Sequence, residues 1–172
     1  LQPGELVFFA PDKTSNAGYL GTNGSGKPKG IIETLANGSQ SGRKVLKALE
    51  KSGFDPTLVV GGLVSNLNTN VKLGSGDMIV VEADEFDRSF LALKPTIAII
   101  TNLEMEHTDC YKDLNDLKDA FLQFCQSVPF YGEIIICADS KPLMSIIDKI
   151  KKPYVTYGLS DNADFYAKDI TY

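Results

Sequence analysis

The strongest constraint on this chain is a succession of short apolar runs, the middle ones apolar on successive residues instead of alternating. They are LVFFA (6–10), TLVVGGL (57–63), MIVVEA (78–83), IAIITNL (97–103), EIIICA (133–138) and YVTYG (154–158). A strand with one wet face alternates apolar and polar residues, whereas a strand covered on both faces need not. Helical spacings lie between the runs. Leu114, Leu117, Phe121 and Phe124 recur at threes and fours within 113–126, and Leu143, Ile146, Ile147 and Ile150 repeat the pattern within 141–150. Residues 42–52 add Val45, Leu46 and Leu49, stopped by Gly53 and Pro56. Strands alternating with helices predict an α/β fold, an open and mostly parallel sheet flanked by helices. Such a sheet holds its ligand at the carboxyl ends of its strands.

Composition narrows the setting. The 172 residues suit one domain with a sizeable core. A net charge of −5 offers no basic surface to nucleic acid or to an anionic membrane. No apolar run approaches the ~20 residues of a membrane span. No secretory signal opens the chain, and it begins at Leu1 without a methionine, as a fragment of a longer protein would. Cys110, Cys125 and Cys137 form no CxxC pair and are odd in number, so neither a zinc site nor a disulfide framework is expected. Reduced thiols in a cytoplasmic protein are the expectation.

Residues 1–42 differ from the rest. They hold eight of the fifteen glycines and three of the eight prolines, a composition of long loops. The LVFFA run is β-prone and uncharged, so a covered strand is expected there. Within this segment, Gly21-Thr22-Asn23-Gly24-Ser25-Gly26-Lys27 matches the phosphate-loop spacing G-x-x-x-x-G-K. Glycines let backbone N–H groups turn inward onto phosphate oxygens, a lysine reaches the terminal phosphates, and a following Ser or Thr holds Mg²⁺. Pro28 stands at that last position and supplies no hydroxyl. The helix that should follow, within PKGIIETLANGSQSG, has a short apolar patch and breaks at Asn37-Gly38. The pattern fits a phosphate loop or a glycine-rich surface loop.

The run MIVVEADEFDRSF ends a buried strand in Glu82, Asp84, Glu85 and Asp87. Hard oxygens at a strand's carboxyl end suit Mg²⁺, and their mutual repulsion calls for a cation, a part Arg88 could share. A solvated acidic loop fits equally. The next strand leads into Asn102, Glu104, Glu106, His107 and Asp109, with His107 the only histidine. If consecutive strands pair, Glu82 and His107 converge.

At this point VVEADEFDRSF followed by TNLEMEHTDCYKDLNDLKDAFLQF resembles the Mur ligases of peptidoglycan synthesis. It is most similar to the branch with E-A-D-E-x-D-x-S-F and T-N-x-x-x-D-H-x-D. SGFDPTLVVGG, NTNVKLGSGD, VPFYG and YGLSDNADFYAKDI resemble it too, so the likeness spans roughly 44–172. It implies the P-loop/Rossmann-like central domain of a ligase that uses ATP and Mg²⁺ to join L-alanine to UDP-N-acetylmuramate. The muramate carboxylate takes the γ-phosphoryl group, and the amine of alanine then displaces phosphate. Carried over, Glu82 and His107 hold metals at the phosphates, and Lys27 offsets their charge. Asn102 lies near the reacting groups, and Asp84, Asp87 and Ser89 lie near the muramoyl substrate.

Departures accompany the likeness. The family loop reads G-T-x-G-K-T-T, whereas here Ser25-Gly26 intervenes before Lys27 and Pro28 replaces a threonine. Glu106 stands for the aspartate before the histidine, and the chain stops before the family's adenine contacts. The division expected is an atypical segment 1–42 with an altered phosphate loop and a C-terminally truncated central domain 43–172. The flanking UDP-binding and amino-acid-binding domains would be partners. The alternative is a non-catalytic Mur-like module with a degraded phosphate loop.

Overall fold

The structure, a computed structural model, describes residues 30–35, 40–64, 69–105 and 109–168, with side chains over 45–60, 70–105 and 109–168. Eight strands form one sheet in the order β3-β2-β4-β1-β5-β6-β7-β8. They are β1 (Gly30–Leu35), β2 (Thr57–Val64), β3 (Thr69–Lys72), β4 (Met78–Ala83), β5 (Ile97–Ile100), β6 (Glu133–Cys137), β7 (Tyr154–Gly158) and β8 (Phe165–Tyr166). Every pairing is parallel except the β2–β3 edge pair. The helices are α1 (Gln40–Lys51), α2 (Leu114–Ser127) and the single turn α3 (Lys141–Met144), joined by 3-10 turns at Phe86–Ala92 and Ile147–Lys149. Among the described residues no helix is long and apolar enough to cross a membrane.

The expected open, mostly parallel sheet is present, and β5 shows why its run is continuously apolar. Ile97 and Ile99 join the core beneath α1, while Ala98 and Ile100 join the core beneath α2. All four are buried, so neither face of the strand needs a polar residue. Val45, Leu46 and Leu49 of α1 cover Leu58, Val60, Met78 and Val80 on one face of the sheet. On the other, Leu117, Phe121 and Phe124 of α2 cover Ile134 and Ile136. Gly53 ends α1 at φ +83°. The Gly53 and Phe54 amides donate to the Glu50 and Leu49 carbonyls at 3.0 Å each, and so cap the helix.

Three expectations are corrected. Residues after Lys27, read as a weak helix, contain the strand β1. Pairing with β4 on one side and β5 on the other satisfies both backbone edges of GIIETL, and its β-branched residues suit that central place. The 141–150 pattern is not one helix, because backbone bonds tighten to three-residue spacing after Ser145. Leu143, Ile146 and Ile150 still reach the core from these tighter turns. Finally, β4 and β5 do not pair, since β1 lies between them. The LVFFA run lies outside the described residues.

Candidate functional site

The carboxyl end of β4 gathers the polar groups. Alternation puts Glu82 on the face of Met78 and Val80, where α1 packs, and leaves Ala83 in the core beneath α2. Glu82 is half-buried and level in register with Thr34 of β1, which is level with Ile99 of β5. With β1 interposed, the ends of β4 and β5 stand two strand spacings apart, about 10 Å. The chain runs outward from β1 to β2 and β3, returns at β4, then crosses to β5 and the far strands. This reversal marks the ligand crevice of an open α/β sheet.

Beyond β4 the backbone turns on its own carboxylates. Asp84 Oδ1 accepts from the Phe86 amide and Asp87 Oδ1 from the Ser89 amide, each at 2.9 Å. Both are local side-chain-to-backbone turns. One oxygen of each carboxylate is used, and Asp84, Asp87 and Ser89 are all exposed. Asp87 and Arg88 both adopt left-handed φ, 54° and 63°. That conformation costs side-chain-bearing residues roughly 1–2 kcal/mol each, so surrounding contacts must hold it.

Those contacts come from α2 and the loop before it. Phe90 is buried with ring centroids 5.7 Å from Phe121 and 5.3 Å from Phe124. Arg88 Nη2 donates to Asp116 Oδ2 at 2.6 Å, and the guanidinium lies 4.8 Å above the Tyr111 ring. The Tyr111 hydroxyl donates to the Glu85 carbonyl at 2.5 Å. Burial of that hydroxyl pushes its pKa up to about 12, so it stays a donor at neutral pH. Arg88 holds the Asp116 carboxyl below the ordinary carboxylate value, and Asp116 in turn raises Arg88. Arg88 is therefore committed to α2, where a carboxylate partner and an aromatic face are both in reach, and this corrects its expected role as counter-ion to the strand-end acids.

Asn102, just past β5, is engaged locally. Its Nδ2 donates to Glu104 Oε1 at 2.6 Å, and its Oδ1 accepts from the Leu103 amide at 2.9 Å. His107 and the whole of Gly21, Thr22, Asn23, Gly24, Ser25, Gly26 and Lys27 lie outside the described residues. Among the described residues no three His, Cys, Asp or Glu side chains are grouped to hold a metal. Sequence reasoning missed Tyr111 and Asp116 as supports of the turn. They contact Glu85 and Arg88 across 26 and 28 positions, and no short spacing signals such a pair.

Residues 61–172 match the model of the Mur ligase middle domain. The UDP-N-acetylmuramate–L-alanine ligase of Desulfatibacillum aliphaticivorans is 50% identical over 127 residues, 74% of this chain and 28% of that protein. The enzyme of the same name from Geotalea uraniireducens is 49% identical over 126 residues, 73% of this chain and 28% of that protein. The chain thus spans little more than a quarter of these relatives. Among solved structures, the UDP-N-acetylmuramate:L-alanyl-γ-D-glutamyl-meso-diaminopimelate ligase of Neisseria meningitides superposes with a TM-score of 0.67 at 22% identity, covering 78% of this chain and 47% of that one. A MurF ligase of Thermotoga maritima in complex with ADP gives 0.64 at 15% identity, covering 84% and 36%. Through its parallel sheet and the match over 61–172, this chain belongs to the Mur ligase family and carries that family's middle domain.

Proposed function

We propose that this chain is the middle-domain portion of a cytoplasmic, ATP-dependent ligase that joins L-alanine to UDP-N-acetylmuramate in peptidoglycan synthesis. The observation that carries the reading is the acidic end of β4. It lies beside the central strand, at the point where the strand order reverses, and its turn is held by Arg88, Tyr111 and Asp116. Half the residues over three quarters of the chain agree with a ligase of that activity.

In this reading Glu82 would offer a hard oxygen to Mg²⁺, and His107 would hold a second ion. Such ions would supply positive charge to offset that of the transferring phosphoryl group. Asp84, Asp87 and Ser89 face the muramoyl substrate from the turn beyond β4, and Asn102 stands near the reacting groups. The muramate carboxylate bonds to the γ-phosphorus as ADP leaves. The alanine amine then forms the amide as phosphate leaves. The UDP and amino-acid sites belong to flanking domains of the same ligase.

A chimera tests this. Residues 44–172 replace the matching stretch of the Desulfatibacillum aliphaticivorans ligase, which keeps its own phosphate loop. Alanine- and muramate-dependent phosphate release is expected, and Glu82→Ala should abolish it. A folded chimera with no alanine-dependent release would overturn the proposal.

A further inference from the structure

One buried side chain touches the turn beyond β4 at both of its ends. Tyr111 donates its hydroxyl to the Glu85 carbonyl at 2.5 Å, and the Arg88 guanidinium lies 4.8 Å over its ring. We propose that Tyr111 is a positioning residue for the ligation, setting the turn that presents Asp84, Asp87 and Ser89 to the muramoyl substrate. This role rests on the proposed function, which is what brings that substrate to the turn.

The Glu85 carbonyl is the pivot. It accepts the Arg88 amide at 3.2 Å, which closes the turn over Phe86 and Asp87, and it accepts the Tyr111 hydroxyl from outside. Asp87 and Arg88 sit at φ 54° and 63°, a region that residues with side chains leave unless contacts hold them there. The Asp84 and Asp87 carboxylates bond amides of the turn itself and so move with it. What fixes the turn against the rest of the fold reaches it from Tyr111, from Asp116 and through the packing of Phe90.

Tyr111 is itself well anchored. Asp113 caps α2 by accepting the Asn115 and Asp116 amides, and Asp116 Oδ2 accepts the Lys112 amide at 3.1 Å as well as Arg88 Nη2. The residue after Tyr111 is thereby bonded to the first turn of a core helix. Tyr111 is 1% exposed, whereas Asp84, Asp87 and Ser89 are exposed. Its hydroxyl therefore acts on the shape of the turn and not on reacting atoms. A small displacement of groups that orient a substrate is enough to weaken their hold on it.

Tyr111→Phe in the chimera above keeps the buried ring and removes only the hydroxyl. The KM for UDP-N-acetylmuramate should rise roughly five- to tenfold, the scale of one lost hydrogen bond, with kcat and the KM values for ATP and L-alanine within about twofold. Asp116→Asn reaches the same turn through Arg88 and should raise the same KM. A role in stability alone would lower the melting temperature and leave that KM where it was. An unchanged KM for UDP-N-acetylmuramate in both variants, or a fall in kcat with every KM unchanged, would overturn the inference while the active parent chimera leaves the proposed function standing. A parent chimera without alanine-dependent phosphate release overturns the function itself, and this role with it.

Discussion

Arg88 and Asp116 are joined by a 2.6 Å hydrogen bond that ties the turn after β4 to the first turn of α2. The bond matters because Arg88 and its neighbour Asp87 both sit at left-handed φ. Their strain is offset by contacts from α2, and the turn carries the carboxylate of Asp87 at the carboxyl end of the sheet. Arg88→Ala and Asp116→Ala should each speed amide exchange and proteolysis at 86–89 while β4 stays protected. Made together, they should add little beyond either alone, since both remove the same bond. Unchanged protection of the turn would show that Phe90 and Tyr111 hold it without this bond, and additive effects that Arg88 and Asp116 act through separate contacts.

Stability should respond to acid in a defined window. The Asp116 carboxyl is held down chiefly by Arg88, that of Asp164 by the Thr156 hydroxyl and amide, and that of Asp55 by the Ser75 amide and hydroxyl. All three are depressed from the ordinary 3.8, so the folded state favours their ionised forms. Their contribution is complete above the unfolded value and is lost as pH falls through the lower folded values. Urea midpoints should therefore be level near neutrality and fall below about pH 4. Asp164→Asn should flatten that fall, and a slope unchanged in the variant would remove Asp164 from the account.

Gly53 isolates a backbone effect. A Cβ built there meets nothing within 4 Å, yet φ is +83°. Gly53→Ala should cost about 1 kcal/mol by urea unfolding through the left-handed conformation alone. A neutral result would mean that the end of α1 shifts to avoid it.

The thiols should separate by burial. Cys125 is 1% exposed and its pKa is pushed up to about 12, whereas Cys110 and Cys137 are half-buried. A thiol reagent should label Cys110 and Cys137 in the native protein and Cys125 only as it unfolds. Equal native labelling of all three would place Cys125 nearer the surface than its place on the buried face of α2 allows.

Much of this fold is legible in the residues because burial writes a local pattern. MIVVEA became β4 at the bounds its apolar run suggested, and the threes and fours of 113–126 became α2. Asp113 supports that start, since its carboxylate accepts the Asn115 and Asp116 amides. GIIETL was not legible as a strand. Its apolar stretch is short, and its place depends on two partners that lie far off in sequence.

The sequence by itself determined the alternation of strands and helices, the acidic end at Glu82 and the family, because each is carried by near neighbours or by motifs in order. The tertiary structure alone decided that β1 parts β4 from β5 and that Arg88 turns to Asp116 and Tyr111. These depend on which distant segments pair and pack, and strand order and long-range charge pairing leave no periodic trace along the chain.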